Sequence, residues 1–512
     1  MAFNIPTQPY GSFPMTSERR RLVLGTSWTL ASTLVALLAG AILSPILVLY
    51  LGVDGYGIWA SAIAIASLFG IVGDLGVSGA LTKFVAEREG KPEALGSHAG
   101  TAVVFGLCAG GVAGVALAIV SRFIAGYGSY TAFGLLLIVQ AAQMPFSVAT
   151  ASLLGLLQGR RHFRRLALLT VVQSGAGLAL TIAVLLLGQG LVGVMVASAL
   201  SSILVFAMQL ILNRKDLAYH GVVAAMADLQ RLVPFGIQLT ATNALSTLLY
   251  QVDIVALSVV SGNPATVGMY ALAVFITRAF WIIPGSVSMT TYPVTSQYAA
   301  AREWPRISRY LSTALLASVA IIGALASAFV LFGRPLLRLF FGPASLGAYD
   351  LALVLLVGTG FLGCLRSVAP SIPAAGRPDI GLWISAAGAG SLVVLSLTLS
   401  SIFGAAGTAL AVCISFSFVA ALLVWAIENY VLRPTGTHFE FKKVLLTSGA
   451  GIIGSTLSLL VALPENAGSS AVAADVLIWA GIAAILGLVS GGRETWGDLL
   501  SRPRTVSPGR EG

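Results

Sequence analysis

Charge is what this sequence has least of. Only 9% of its 512 residues are Asp, Glu, Lys or Arg, against about 25% in an ordinary soluble domain. Hydrophobic residues make up 57% and the mean hydropathy is +0.93. That shortage excludes a soluble fold, which could not cover so much apolar surface. Cysteine is scarce as well. Cys108, Cys364 and Cys413 all fall in apolar stretches, where a thiol behaves as a small hydrophobe, so no disulfide or metal framework is expected. The chain also lacks a Gly-x-x-x-x-Gly-Lys-Ser/Thr phosphate loop, His-Glu-x-x-His and Cys-x-x-Cys. No ATP site, cofactor or enzymatic activity is therefore expected. The four histidines, His98, His162, His220 and His438, stand in separate polar loops and read as solvated residues.

What the chain has instead is a succession of apolar stretches of roughly 20 residues, each able to cross about 30 Å of hydrocarbon as a helix. Hydropathy places fourteen such spans, from 22–50 to 472–490. Arg19, Arg20 and Arg21 precede the first one. It is too long for a cleavable leader, whose apolar core has about 7 to 15 residues, and is read as a membrane helix. The expectation is an all-α polytopic membrane protein with about 14 transmembrane helices, arranged as two six-helix lobes plus a C-terminal helix pair.

The net charge of +10 comes from 29 Lys and Arg against 19 Asp and Glu, and its placement tests the span count. With the N-terminus inside, 24 of the 29 fall in one set of alternating loops and only Arg122, Arg334 and Arg338 in the other. That is the positive-inside pattern. It puts both termini in the cytoplasm and explains the basic excess without nucleic acid. The outer connections are short and turn-like: Gly52-Val-Asp-Gly-Tyr, Gly188-Gln-Gly, Ser261-Gly-Asn-Pro and Gly404-Ala-Ala-Gly.

The domain reading follows. It comprises a cytoplasmic tail (1–18), an N-terminal six-helix lobe (19–212), an amphipathic linker on the cytoplasmic face (213–232), a C-terminal six-helix lobe (233–430), an added helix pair (431–491) and a cytoplasmic tail (492–512). A weak internal repeat supports the two lobes. Gly57-Ile-Trp-Ala opening the second span resembles Gly268-Met-Tyr-Ala opening the eighth, and Gln158-Gly-Arg resembles Ala375-Gly-Arg. Transporters commonly carry such halves. Pro145, Pro284, Pro370 and Pro373 fall within spans, where each removes a backbone hydrogen bond and permits a kink.

The informative residues are ionisable groups at membrane depth, because a charged side chain at a helix centre costs about 2.5–3.5 kcal/mol on insertion scales. Asp253 lies about 12 Å below the outer end of span seven and Arg278 about 15 Å below the start of span eight, at 1.5 Å of rise per residue, so the two can meet. They serve either as a structural ion pair or with Arg278 on a lumen as a phosphate binder and Asp253 as its orienting or proton-carrying partner. Arg366, nearer the cytoplasmic side of span ten, has no acidic neighbour in its own span. Asp74 and Lys83 end span two, where snorkelling to the interface explains them and Lys83 is a further candidate for an anionic head group. Gln140, Gln143, Gln173, Gln238, Thr240 and Asn243 are candidates to line a polar passage or to bond neighbouring helices.

Several of these segments match a known pattern. The run Leu51-Gly-Val-Asp-Gly-Tyr-Gly-Ile-Trp, then Gly73-Asp-Leu-Gly-Val-Ser-Gly-Ala-Leu-Thr-Lys-Phe-Val-Ala-Glu, resembles the first helical hairpin of bacterial polysaccharide flippases. These are the O-antigen and exopolysaccharide repeat-unit translocases of the multidrug/oligosaccharidyl-lipid/polysaccharide exporter superfamily. Tyr250-Gln-Val-Asp-Ile-Val, Val267-Gly-Met-Tyr-Ala-Leu-Ala and Pro293-Val-Thr-Ser resemble the start of that family's C-terminal lobe. The resemblance implies two lobes in a V around a cavity and alternating access. Its implied cargo is an undecaprenyl-pyrophosphate-linked oligosaccharide, moved across the cytoplasmic (inner) membrane for O-antigen, lipopolysaccharide, exopolysaccharide or capsule synthesis. Expected partners are that polyprenyl-linked oligosaccharide, membrane lipids, a polysaccharide polymerase and glycosyltransferases. Two alternatives stay open within the superfamily: a cation-coupled multidrug antiporter, which favours buried acids, and a lipid II flippase.

Overall fold

The protein is described from a computed structural model, which covers residues 15–87, 92–123, 133–160, 162–214, 241, 244–433 and 436. Among these residues every regular element is helical. The long elements are α1 (Met15–Asp74), α2 (Val77–Glu87), α3 (Pro92–Phe123), α4 (Phe133–Gly159), α5 (Phe163–Leu186) and α6 (Gly190–Asn213). They continue with α7 (Ala244–Ser261), α8 (Pro264–Ala279), α9 (Ile282–Ala300), α10 (Trp304–Phe341), α11 (Gly347–Arg366), the short α12 (Ser371–Ala374) and α13 (Pro378–Ala426). A π-helical turn, Ile427–Leu432, closes the described C-terminal part.

Nine of these helices are long and apolar enough to cross a membrane, and ten if the bent pair α8 and α9 is one span. Two of the nine are broken inside. In α1 the helix is interrupted at Gly52 (φ 74°, ψ 173°), and in α13 at Gly404 (φ 59°, ψ −136°). Both are left-handed conformations open to glycine because it has no Cβ. At the second break the chain turns back on itself: a Cβ on Gly407 would lie 1.9 Å from the carbonyl oxygen of Leu399. These are two of the four turns expected from sequence. At the other two, Gly188 and Gly262 also carry positive φ. Each break divides its long apolar helix into two helical segments. The two last expected spans and the amphipathic linker after Arg214 lie outside the described residues.

Span two ends earlier than its hydropathy suggests. Leu75 (φ 42°) and Gly76 (φ 66°) break the helix after Asp74. The Asp74 carboxylate then accepts from the backbone N–H of Ser78 at 3.3 Å and its hydroxyl at 2.7 Å, capping the first turn of α2. The N-terminal helix likewise begins at Met15, inside the stretch read as a tail.

The described chain groups into two compact units. The first takes the described residues of 15–46, 69–123 and 133–214, and the second those of 47–68 and 241–436. In the first unit, α3 and α4 pack through small residues. Cβ atoms on Gly106, Gly110 and Gly114 would lie 2.9, 2.8 and 2.5 Å from backbone atoms of Ala149, Met144 and Ala141. On the next face of α4, Gly155 and Gly159 admit α2, with Thr82 donating its hydroxyl to the Gly155 carbonyl at 3.1 Å. Lipid supplies no hydrophobic drive between helices, so close backbone approach and dispersion hold them together.

In the second unit the corresponding close approach joins the second half of α1 to α8 through Gly57 and Gly268. One turn further along α1, the buried hydroxyl of Ser61 pairs with that of Ser258 in α7 at 2.8 Å. The turn before α8 is capped by Asn263, whose side-chain oxygen accepts from the Ala265 N–H at 3.0 Å, with Pro264 at the first helical position. That combination suits a helix start. Between α8 and α9 the axis bends by 48°. The proline at Pro284 cannot donate to the carbonyl of Phe280, which accounts for the bend.

Candidate functional site

The arginines at membrane depth are brought to one place by five segments of the second unit. Tyr250 and Asp253 lie one turn apart on α7, Tyr270 and Arg278 on α8, Trp281 at the bend, Arg366 at the end of α11, and Phe416 in α13. Trp281 fits because Gly363 leaves room: a Cβ there would sit 2.6 Å from the indole. The indole N–H donates to the Thr359 carbonyl at 2.7 Å, which fixes the ring. Tyr250, Trp281 and Phe416 form an aromatic cluster, with centroids 5.5 Å apart for Tyr250 and Trp281, 6.3 Å for Tyr250 and Phe416, and 6.0 Å for Trp281 and Phe416.

Asp253 is fully buried. Its Oδ2 accepts from the Tyr270 hydroxyl at 2.8 Å and from Arg278 at 3.3 Å, while its Oδ1 has no partner. Arg278 is thereby paired, though 21% of its side chain stays exposed. Its Nε is without a partner.

Arg366 differs. Among the described residues no carboxylate lies within ion-pair distance of it. Its Nη1 donates to the Tyr250 hydroxyl at 2.9 Å, and its guanidinium lies 5.0 Å from the Trp281 ring and 5.7 Å from the Tyr250 ring. Arg278 approaches the same Tyr250 ring at 5.9 Å. One tyrosine ring therefore carries two guanidinium groups. Only one of them is neutralised, and Arg366 keeps a buried, unpartnered Nε. A cation–π contact offsets part of the cost of holding a cation out of water but does not cancel its charge. An anion would.

The other candidates stand elsewhere. Asp74 spends both carboxylate oxygens on Ser78 at the start of α2, in the first unit. Lys83 belongs to α2, and its side chain is outside the described residues, as are Gln238, Thr240 and Asn243. Gln140 is buried, donates to the Met195 sulfur at 3.0 Å and accepts from Gln143 at 2.5 Å, while Gln173 is exposed on α5. Tyr250 and Trp281 were missed as site residues by sequence reasoning. For Tyr250 the available signal was spacing: it lies three residues from Asp253 and hence on the same side of α7.

Comparison with known proteins gives this architecture a family. The model of the polysaccharide biosynthesis protein family matches residues 22–299, and no curated protein matches the chain. Among solved structures, the lipid II flippase MurJ in an inward closed conformation is similar with a TM-score of 0.67 at 16% identity, over 94% of this chain and all of that one. An inward-facing multidrug resistance MATE transporter of the MOP superfamily is similar at TM-score 0.58 and 18% identity, over 83% of this chain and 98% of that one. The eukaryotic MATE transporter AtDTX14 is similar at 0.59 and 14%, over 85% and 99%. At such identities the likeness establishes the fold. With more than half of its length matched by the family model, this polytopic all-α membrane chain belongs to the polysaccharide biosynthesis protein family.

Proposed function

We propose that the protein translocates an undecaprenyl-pyrophosphate-linked oligosaccharide repeat unit across the cytoplasmic membrane by alternating access, supplying O-antigen, exopolysaccharide or capsule synthesis. The observation that carries this reading is Arg366: a cation stacked on Tyr250 and Trp281, with no carboxylate beside it and an unpartnered Nε. Such a group is costly in lipid and suits a phosphate-bearing ligand, to which arginine offers planar, paired donors. Arg278 is the second candidate, reached once an anion competes with Asp253. For the outward direction the membrane potential helps, since each negative charge leaving a negative interior gains about 2.3 kcal/mol per 100 mV.

The deciding experiment is deletion followed by leaflet-resolved analysis of lipid-linked intermediates. Complete, unpolymerised repeat units should accumulate on the cytoplasmic leaflet. Normal surface glycan with altered dye resistance would overturn the proposal in favour of a drug antiporter. A lipid II flippase is the second reading, favoured by the fold likeness to MurJ, because lipid II carries the same pyrophosphate chemistry. Rescue of cells depleted of their lipid II flippase would establish it.

A further inference from the structure

Tyr250 has a place in this cluster that neither its sequence context nor the proposed cargo assigns. Its hydroxyl oxygen accepts from Arg366 at 2.9 Å, and no acceptor among the described residues takes its own hydroxyl proton. Its ring is approached by both guanidiniums, at 5.9 Å by Arg278 and 5.7 Å by Arg366. It is held in turn by edge contacts with Trp281 and Phe416, of which Phe416 is fully buried and Trp281 nearly so.

Two like charges on one ring repel each other, and they stay together because each is tethered. Arg278 is tethered by Asp253, and Arg366 by the tyrosine hydroxyl and the Trp281 face. The formal charge of Asp253, Arg278 and Arg366 together is one positive unit, all of it from Arg366. An anion arriving there meets the free donors of Arg366 and the free O–H of Tyr250 together.

We propose that Tyr250 is the positioning residue of the anion site: it fixes the spacing and orientation of Arg366 relative to Arg278 and offers its own hydroxyl proton, so that the site prefers a pyrophosphate to a single phosphate. This rests on the reading of Arg366 as cargo-facing and adds to it a source of selectivity. A single phosphate needs one guanidinium. A pyrophosphate has two phosphoryl groups and gains from a second guanidinium only if the distance between the two cations is set.

The test uses the full-length protein in nanodiscs of uncharged lipid, with inorganic pyrophosphate and inorganic phosphate as probes in calorimetric titrations. Tyr250→Phe keeps the ring and removes the hydroxyl. Tyr250→Leu removes both. The expected result is a melting temperature for Tyr250→Phe close to that of the unaltered protein, pyrophosphate affinity about tenfold lower, and a clear fall in the ratio of pyrophosphate to phosphate affinity. Tyr250→Leu should bring that ratio near one. A merely structural tyrosine would lower melting temperature and leave the ratio alone. Tyr250→Phe binding pyrophosphate as tightly as the unaltered protein, or an unaltered protein indifferent to pyrophosphate, overturns the inference. Arg366→Leu in the same assay separates the two layers of argument. Undiminished pyrophosphate binding there removes the underlying site reading, whereas loss there with an unaffected Tyr250→Phe removes only the role of the tyrosine.

Discussion

Gly57 and Gly268 stand backbone to backbone, each facing the carbonyl one helical turn before the other. A Cβ on Gly57 would lie 2.1 Å from the Pro264 oxygen, and one on Gly268 would lie 2.0 Å from the Val53 oxygen. The two residues open the sequence segments that resemble each other, Gly57-Ile-Trp-Ala and Gly268-Met-Tyr-Ala, so the repeated segments meet in a reciprocal contact. Because the obstacle in both cases is main chain, no side-chain rotation can make room. Gly57→Val and Gly268→Val should each destabilise the protein by about 1–3 kcal/mol, the usual cost of overpacking. The double variant should fall short of the sum, since both changes break one contact. Thermal unfolding in detergent, followed by loss of the monodisperse peak, measures this.

Arg366→Leu removes the unneutralised cation and leaves an apolar side chain that the surrounding helices accommodate. Complementation of a deletion strain should lose surface polysaccharide by more than tenfold at normal protein level. Arg366→Lys should recover only part, because an ammonium keeps the charge but not the planar fork that both stacks on Trp281 and donates to Tyr250.

Asp253→Ala leaves Arg278 without its counter-ion. Removing one partner of a buried pair costs roughly 3–5 kcal/mol, and the 21% exposure of the Arg278 side chain places this case toward the lower end. Asp253→Ala combined with Arg278→Leu should regain part of that loss, because no uncompensated charge remains. Melting temperatures of the single and double variants are the check.

Trp281→Phe loses the hydrogen bond to the Thr359 carbonyl, worth about 1 kcal/mol, and keeps most of the ring. Trp281→Ala leaves a void beside Gly363 and should cost about 3–5 kcal/mol, as large aromatic truncations do. Both should also free Arg366 from one face, read as weaker pyrophosphate binding for the stable Phe variant.

Asp74→Ala removes the cap of α2, for about 1 kcal/mol. Since both carboxylate oxygens are engaged by Ser78, polysaccharide export should stay within about twofold of normal at unchanged protein level. Export abolished by this substitution would instead give Asp74 a part in coupling.

Much of this is legible in the sequence. The turns at Gly52, Gly188, Gly262 and Gly404 follow from glycine between apolar runs, and the structure puts positive φ at each of them. The meeting of Asp253 and Arg278 followed from their depths in a hairpin, and they lie 3.3 Å apart. The break after Asp74 was not legible, because window-averaged hydropathy does not register the positive φ of Leu75 and Gly76. Nor was the environment of Arg366. Its absence of an acidic neighbour in its own span was visible, but Tyr250, 116 residues earlier, was not visible as its partner.

The sequence by itself determined that the chain lives in lipid and where its described part turns, because transfer of apolar length and the steric freedom of glycine are local properties of the chain. Only the tertiary structure decided that two arginines from different helices share one tyrosine, and that one of them keeps its charge. A tyrosine or tryptophan in an apolar span has the same composition whether it fills space or cradles a cation. The difference lies in which distant side chain packing brings to its face.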